Sequence, residues 1–270
     1  MVSPASRFTA HLAFWEEQAI SSKFVDSLTL RQRFFPESNV GGFSDADAGV
    51  RLYTHINAVL RPTDRVLDFG AGRGEHIIDD QIEYRRSLFN LKGRCSHVEG
   101  CDVDAAVLTN PFLDHATVIE ADCPLPYPDN SFDIVYARSV FEHIERPDLI
   151  AQELVRIVKP GGLIAALTPN RFGYVALAAT AVPNRLHVTA LKRIQPTRKS
   201  VDVFPTLYRL NTGNAVRRAF GPGVDVYVVY TSAEPGYHFG RPALYRIAMW
   251  LHKHLPAPLQ PFITIYIRKR

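Results

Sequence analysis

The chain is poor in cysteine. Its three, Cys95, Cys101 and Cys123, sit in one short stretch of 270 residues. They are too few and too clustered for a disulfide framework, and no pair has zinc-knuckle spacing. A reducing cytoplasm is the simplest setting to expect. The N-terminus lacks the succession of charged, apolar and small residues that marks a secretion signal. The longest apolar run, near residues 174–183, falls far short of the ~20 residues that a membrane-spanning helix needs. A soluble protein is therefore expected. Positive charge exceeds negative only slightly, at +4 net, and lysine and arginine are spread along the chain; Arg268-Lys269-Arg270 is the one cluster. With no recognisable binding module beside it, the surplus reads as solvated surface, and no nucleic-acid partner is expected. No internal repeat or low-complexity tract interrupts the sequence.

What is present is enough for one large core and somewhat more than a minimal domain, since 46% of the residues are hydrophobic. A helix-like stretch runs from about Arg7 to Ala19, and Ser44 with Asp47 resembles a capping pair for a helix through Leu60. From Arg65 to Leu167 strands and helices alternate, with strands near 65–69, 97–102, 117–120, 133–137 and 162–168. Pro147 opens one covering helix, whose Leu149, Ile150, Leu154, Ile157 and Val158 recur at helical spacing. Such alternation predicts an α/β fold, a doubly wound, mostly parallel sheet with helices on both faces. Two further apolar runs, Val224–Tyr230 and Phe262–Ile267, are read as its closing strands.

The densest information lies in Val66-Leu67-Asp68-Phe69-Gly70-Ala71-Gly72-Arg73-Gly74. It reads as a buried strand running into a turn where Gly70, Gly72 and Gly74 let the backbone approach a ligand, followed by the free N–H groups of a helix. A nucleotide-like cofactor fits such a cradle. Spacing decides which kind. The dinucleotide fingerprint would need glycine at position 75, where the chain has Glu75. An acid at that helix start repels a pyrophosphate and suits a cationic ligand.

The pattern Asp-x-Gly-x-Gly-x-Gly resembles the first motif of the class I, Rossmann-like S-adenosylmethionine-dependent methyltransferases. Further segments match the family in order: His97–Asp102, a second strand ending in an acid; Glu120–Val135, an acid, a proline-rich loop and a fourth strand; and Leu154–Gly162, a helix end closed by Lys159, Pro160 and Gly161. The resemblance implies S-adenosyl-L-methionine as cofactor. It also implies a seven-stranded sheet with an antiparallel last strand, and a cofactor site of Asp68, Gly70, Gly72, Gly74, Asp102, Val103, Asp122 and Cys123. By that carry-over Asp102 binds the ribose, Val103 lies against the adenine, and Asp122 and Cys123 meet the adenine edge. Asp104 is expected to cap the next helix. The stretch from Gly74 to Asp102 is longer than usual, implying an extended first helix or an insertion around Tyr84 to Lys92. The domain reading is an N-terminal helical extension, 1–64, and a catalytic domain, 65–270, with an insertion at 170–210 as substrate cap.

His143, in the segment Ser139-Val140-Phe141-Glu142-His143-Ile144 after the fourth strand, is the candidate general base, to be weighed against a histidine that only packs the helix junction. Some related O-methyltransferases carry Glu-x-x-Glu-His at this point and use a divalent ion. Here the first glutamate is replaced by Ser139, leaving Glu142, His143 and His187 for a partial site at most, so no metal is expected. In Arg241 to Leu255, the residues Leu244, Ile247, Ala248, Leu251 and Leu255 share one helical face. That face either docks on the core or lies on a membrane. The overall expectation is a methyltransferase acting, at oxygen, on a small molecule, a saccharide or a lipid-linked acceptor. The competing readings are a non-catalytic binder of the same cofactor and an NAD-dependent oxidoreductase.

Overall fold

The centre of the sheet is set by β1, Arg65–Phe69, whose last four residues are all buried. A strand with both sides covered needs hydrogen-bonded neighbours along its edges and apolar layers above and below. β1 finds parallel neighbours in β2, His97–Asp102, and β4, Phe132–Arg138. β3, His115–Val118, continues beyond β2, and β5, Val158–Pro169, lies beyond β4. β7, Phe262–Lys269, inserts antiparallel between β5 and β6, Val224–Thr231. The seven-stranded order is β3-β2-β1-β4-β5-β7-β6, so the expected sheet class and its antiparallel last strand are both observed. The computed structural model describes residues 31–174, 176, 205–235 and 241–270. The expected helix at Arg7–Ala19, most of the insertion 170–210, and His187 lie outside the described residues.

Successive strand residues face opposite layers. Leu67, Phe69, Val135, Ala137, Ile164 and Ala166 join one core. It is covered by helices α5, Pro147–Ile157, and α6, Gly213–Phe220, through Ile150, Leu154, Ile157, Val216 and Phe220. Val66, Ile134, Tyr136, Leu163 and Ala165 join the other core, against Leu52, Tyr53 and Ile56 of α2, Ala48–Val59. Ahead of α2 lies the short α1, Ser38–Gly41. Asp47 caps α2 as expected, accepting the N–H groups of Gly49 and Val50 at 2.8 and 3.2 Å. Ser44 is buried, takes the Ala46 N–H at 3.1 Å and bonds to Glu37.

Local departures from the expected pattern have identifiable causes. No extended helix follows the glycine turn; α3, Glu75–Ile78, stops after one turn and α4, Glu83–Phe89, restarts. Asp80 interrupts them by accepting the Ile82 N–H at 2.8 Å while Arg85 grips the same carboxylate. The element that Asp104 caps, through the Ala106 N–H at 2.9 Å, is a 3₁₀ turn, Ala105–Thr109. β3 begins two residues earlier than expected because His115 and Thr117 both bond the buried Glu99 carboxylate, at 2.8 and 2.9 Å. Lys159-Pro160-Gly161 does not close α5, which ends at Ile157; it lies within β5, beside a register shift opposite Phe132 and Ile134, with Lys159 paired to Asp133 at 2.7 Å.

Helix α7, Pro242–His254, also turns differently from the core-docking expectation. Its buried residues are Tyr245 and His252, the latter bonded to the Tyr174 hydroxyl at 3.0 Å. Leu244, Ile247 and Trp250 stay exposed, at 37%, 57% and 60%. Among the described residues, no helix is long and apolar enough to cross a membrane.

Candidate active site

The carboxyl end of β1 delivers the chain into Gly70-Ala71-Gly72-Arg73-Gly74, and all three glycines have positive φ, +80°, +50° and +75°. L side chains are strained in that region, so the turn depends on glycine. A Cβ at Gly70 would collide with Val140, and one at Gly74 would come within 2.8 Å of Asn110 Oδ1. At Gly72 the nearest atom to an added Cβ is Glu75 Oε2, at 3.3 Å. Glu75 therefore overhangs the middle of the turn with its negative charge.

The turn is held to the tip of β2. Gly70 and Ala71 donate to the Cys101 carbonyl at 2.8 and 3.1 Å. Gly72 donates to Asp102 Oδ2 at 2.8 Å, and the other Asp102 oxygen accepts the Asp104 N–H at 2.9 Å. Each carboxylate oxygen keeps a further lone pair for a hydroxyl donor. Val103, 43% exposed, sits next to Asp102 as an uncovered apolar surface. The turn is also clamped from outside by buried Asn110, whose amide donates to the carbonyls of Ala71 and Gly72, both at 3.2 Å. That clamp was not legible in the sequence, because an asparagine after a 3₁₀ turn looks like any other loop residue.

Asp68 is placed differently from the glycines. Its carboxylate is 5% exposed and accepts the Tyr136 hydroxyl at 2.8 Å. Burial pushes its pKa up to about 7; the Tyr136 bond opposes that, and the charges of Asp102 and Glu75 add to the rise. The rings of Tyr53 and Tyr136 meet edge to face at 5.5 Å, and the Tyr53 hydroxyl bonds His76 at 3.1 Å. Burial, with the nearby charge of Arg138, holds the His76 imidazole well below its ordinary value. This polar thread beneath the glycine turn assembles residues from α2, α3, β1 and β4 that no sequence motif links.

Asp122 adopts a positive φ of 52° and spends its carboxylate on the N–H groups of Glu145 and Arg146, at 3.2 and 2.7 Å. It braces the turn leading into α5. Neighbouring Cys123 directs its thiol to Glu120 at 3.6 Å. His143 follows β4 in a turn where its backbone N–H reaches Val140 O at 2.9 Å, and its Nδ1 lies 2.8 Å from the Pro205 carbonyl. A carbonyl can only accept, so this contact assigns the proton to Nδ1 and the basic lone pair to Nε2. Glu142 stands beside that ring, with Oε1 4.0 Å from His143 Nε2, while its buried Oε2 accepts the Thr168 hydroxyl at 2.7 Å, which in turn accepts from Asn211 at 2.6 Å. Among the described residues there is no group of three potential metal ligands.

Beside these motifs, at the carboxyl ends of β4 and β5, lies a cavity of about 640 Å³. Its wall includes Asp80, Arg85, Arg138, Ser139, Leu167 and Glu234. Ion pairs line it: Arg31 with Glu234 at 2.6 Å, and Arg85 with Asp47 at 2.9 Å and Asp80 at 2.8 Å. In open α/β sheets the crevice beyond the carboxyl ends of the strands is where ligands bind.

Comparison with known proteins gives the following. Residues 67–166 match the model of a methyltransferase domain. An uncharacterized methyltransferase of Schizosaccharomyces pombe is 48% identical over 152 residues, 50% of this chain and 54% of that one. The 27-O-demethylrifamycin SV methyltransferase of Amycolatopsis mediterranei is 31% identical over 128 residues, 44% of each chain. A ubiquinone/menaquinone biosynthesis C-methyltransferase of Chromobacterium violaceum is 28% identical over 122 residues, 43% of this chain and 47% of the other. The matches span about half or less of these relatives' lengths. Among solved structures, geranyl diphosphate C-methyltransferase from Streptomyces coelicolor, in complex with Mg2+, geranyl diphosphate and S-adenosyl-L-homocysteine, superposes with a TM-score of 0.51 at 13% identity. That match covers 83% of this chain and 77% of the other, a likeness of fold.

Proposed function

Since the chain carries a class I, Rossmann-like S-adenosylmethionine-dependent methyltransferase domain, we propose that it transfers a methyl group to an oxygen of a small molecule. The observation that carries the reading is the tie between the Gly72 N–H and Asp102, which holds a glycine-rich turn against an acid that retains lone pairs for a ribose diol. In this reading Asp102 takes the ribose hydroxyls, Val103 covers the adenine, and Asp122 with the backbone of Cys123 borders its edge. Gly70, Gly72 and Gly74 admit the rest of the cofactor, and Asp68 organises the turn from below. Glu75 favours a cationic ligand over a pyrophosphate.

When bound, the cofactor supplies a methyl already activated on a sulfonium. The chain then has to align an acceptor, keep water out and receive a proton. Alignment alone is worth on the order of 7–11 kcal/mol. For proton removal the reading assigns His143, its ring fixed by the Pro205 carbonyl so that Nε2 carries the basic lone pair.

Relatives named for quinone and rifamycin methylation support small, largely apolar acceptors. A membrane-derived acceptor is supported by α7, where exposed Leu244, Ile247 and Trp250 share the helix with Arg241 at its start and with exposed Arg246 and Lys253. Calorimetric titration with S-adenosylmethionine, followed by transfer of labelled methyl to phenols, sugars and lipids, tests the proposal. A folded chain that does not bind the cofactor refutes it. Binding without transfer to any acceptor favours a non-catalytic module instead.

A further inference from the structure

The cavity at the carboxyl ends of β4 and β5 has a charge pattern that bears on the acceptor. Arg31 is matched by Glu234, and Asp79 by Arg73 at 3.1 Å. Arg85 is shared by Asp47 and Asp80. The extra acid of that triad is already engaged, because Asp47 Oδ1 caps the N-terminus of α2 through Gly49 and Val50. Among the described residues this leaves Arg138, at the carboxyl end of β4, as the cation of the wall that no carboxylate pairs with.

Arg138 is held in place without being neutralised. Its guanidinium carbon lies 5.4 Å from the centre of the Phe89 ring, and Nη2 is 3.5 Å from where a Cβ at Gly49 would stand. Among the described residues, Nη1 is buried with no hydrogen-bond partner. A charged donor left without an acceptor is costly, so such an arrangement persists where it is completed by something else. Its charge is felt by buried Asp68, whose carboxyl is held well above the usual carboxylate range by burial. The wall also carries apolar residues, Ile82, Leu167, Pro235 and Phe262, with Leu167 beside Arg138 in the β4–β5 register. Ser139, next in sequence, places the cation one residue from the β4 turn that leads to His143.

We propose that the cavity takes an acceptor with an apolar or aromatic body and one anionic group, carboxylate or phosphate, which Arg138 receives through its planar fork. Such a fork matches both anions in paired hydrogen bonds, whereas a neutral acceptor leaves the cation uncompensated. A cavity of about 640 Å³ is of the size that holds drug-sized ligands. The assignment of this molecule as an acceptor rests on the methyltransferase reading; the anion preference itself does not.

The test titrates the full chain with three matched probes, 4-hydroxybenzoate, 4-hydroxyphenyl phosphate and neutral 4-hydroxybenzamide, with and without S-adenosylhomocysteine. The wild-type chain is expected to bind at least one anion tenfold or more tighter than the amide, and the stronger of the two names the head group. Arg138→Gln should erase that preference and leave S-adenosylhomocysteine affinity within twofold. Arg138→Lys should retain part of it. Equal affinity for all three probes in the wild type overturns the proposal, and that arm stands even if Arg138→Gln does not fold. A preference that survives Arg138→Gln overturns it too. So does a tenfold loss of S-adenosylhomocysteine affinity, which would give Arg138 to the cofactor's own carboxylate. If S-adenosylhomocysteine fails to bind the wild type, the methyltransferase reading falls while the anion preference is still scored.

Discussion

Asp68→Asn isolates the energetic cost of the buried carboxylate under the glycine turn. In the folded chain its pKa is raised to about 7, against 3.8 for the ordinary group. Between those values the folded state keeps a proton that the unfolded chain has lost, so stability falls as pH rises through the window and stays lower above it. The full difference is on the order of 4 kcal/mol. Roughly 2.5 kcal/mol of this falls between pH 5 and pH 8. Asparagine keeps an oxygen to accept the Tyr136 hydroxyl but does not titrate. Urea unfolding of both proteins at pH 5, 6.5 and 8 should therefore show the wild type losing ground to the variant as pH rises. His76 works in the other direction, because an imidazole held below its ordinary value loses stability as pH falls below about 6.5. That contribution is common to both proteins and cancels in their difference. Parallel pH profiles for the two would refute the burial of an ionisable Asp68. A cationic ligand in the crevice favours the ionised form, so cofactor binding near pH 7 should release protons, measurable by calorimetry in buffers of different ionisation enthalpy.

Asp102→Ala removes the acceptor of the Gly72 N–H and the ribose contacts together; cofactor affinity should fall by about 1–3 kcal/mol per lost contact, and an unchanged dissociation constant would move the ribose site elsewhere. His143→Ala should leave cofactor affinity intact while turnover drops by about 10²–10⁴-fold and the pH–rate profile loses its limb near neutrality; an unaltered profile with an active acceptor removes the base from that position. Leu154→Ala, at a fully buried site between α5 and the sheet, should cost about 2–5 kcal/mol in chemical denaturation without changing cofactor affinity in the folded protein.

The sheet was legible because its signals are local. Val66–Phe69 and Ile134–Ala137 are short apolar runs that only a doubly covered strand explains, and the glycine turn carries its positive φ values in its composition. Asp104 was legible for the same reason, capping a backbone N–H two residues on. What escaped were partnerships made by the fold over long separations. Asn110 clamps carbonyls 38 and 39 residues away, and Tyr136 reaches Asp68 across 68. Nothing in a linear pattern distinguishes such residues from ordinary core or loop. Helix α7 misled for a different reason. Its apolar stripe has the right period, but the face that docks carries Tyr245 and His252, whose rings reach Phe34 and Tyr174.

The point where the chain leaves β5 and the point where it comes back are fastened together. Arg171 donates its N–H to the Asn211 carbonyl at 2.9 Å, Asn211 bonds Pro169 and Thr168, and Asn170 reaches the carbonyls of Pro258 and Gln260. Both gateposts thus belong to the sheet, whatever runs between them. Because lengthening a loop by a factor of two costs only about 0.6 kcal/mol in closure entropy, segments of quite different length and chemistry could be spliced between those posts with the scaffold undisturbed. On the proposed reading of this segment as a substrate cap, acceptor choice could be rewritten as a cassette, independently of the glycine turn and its supports.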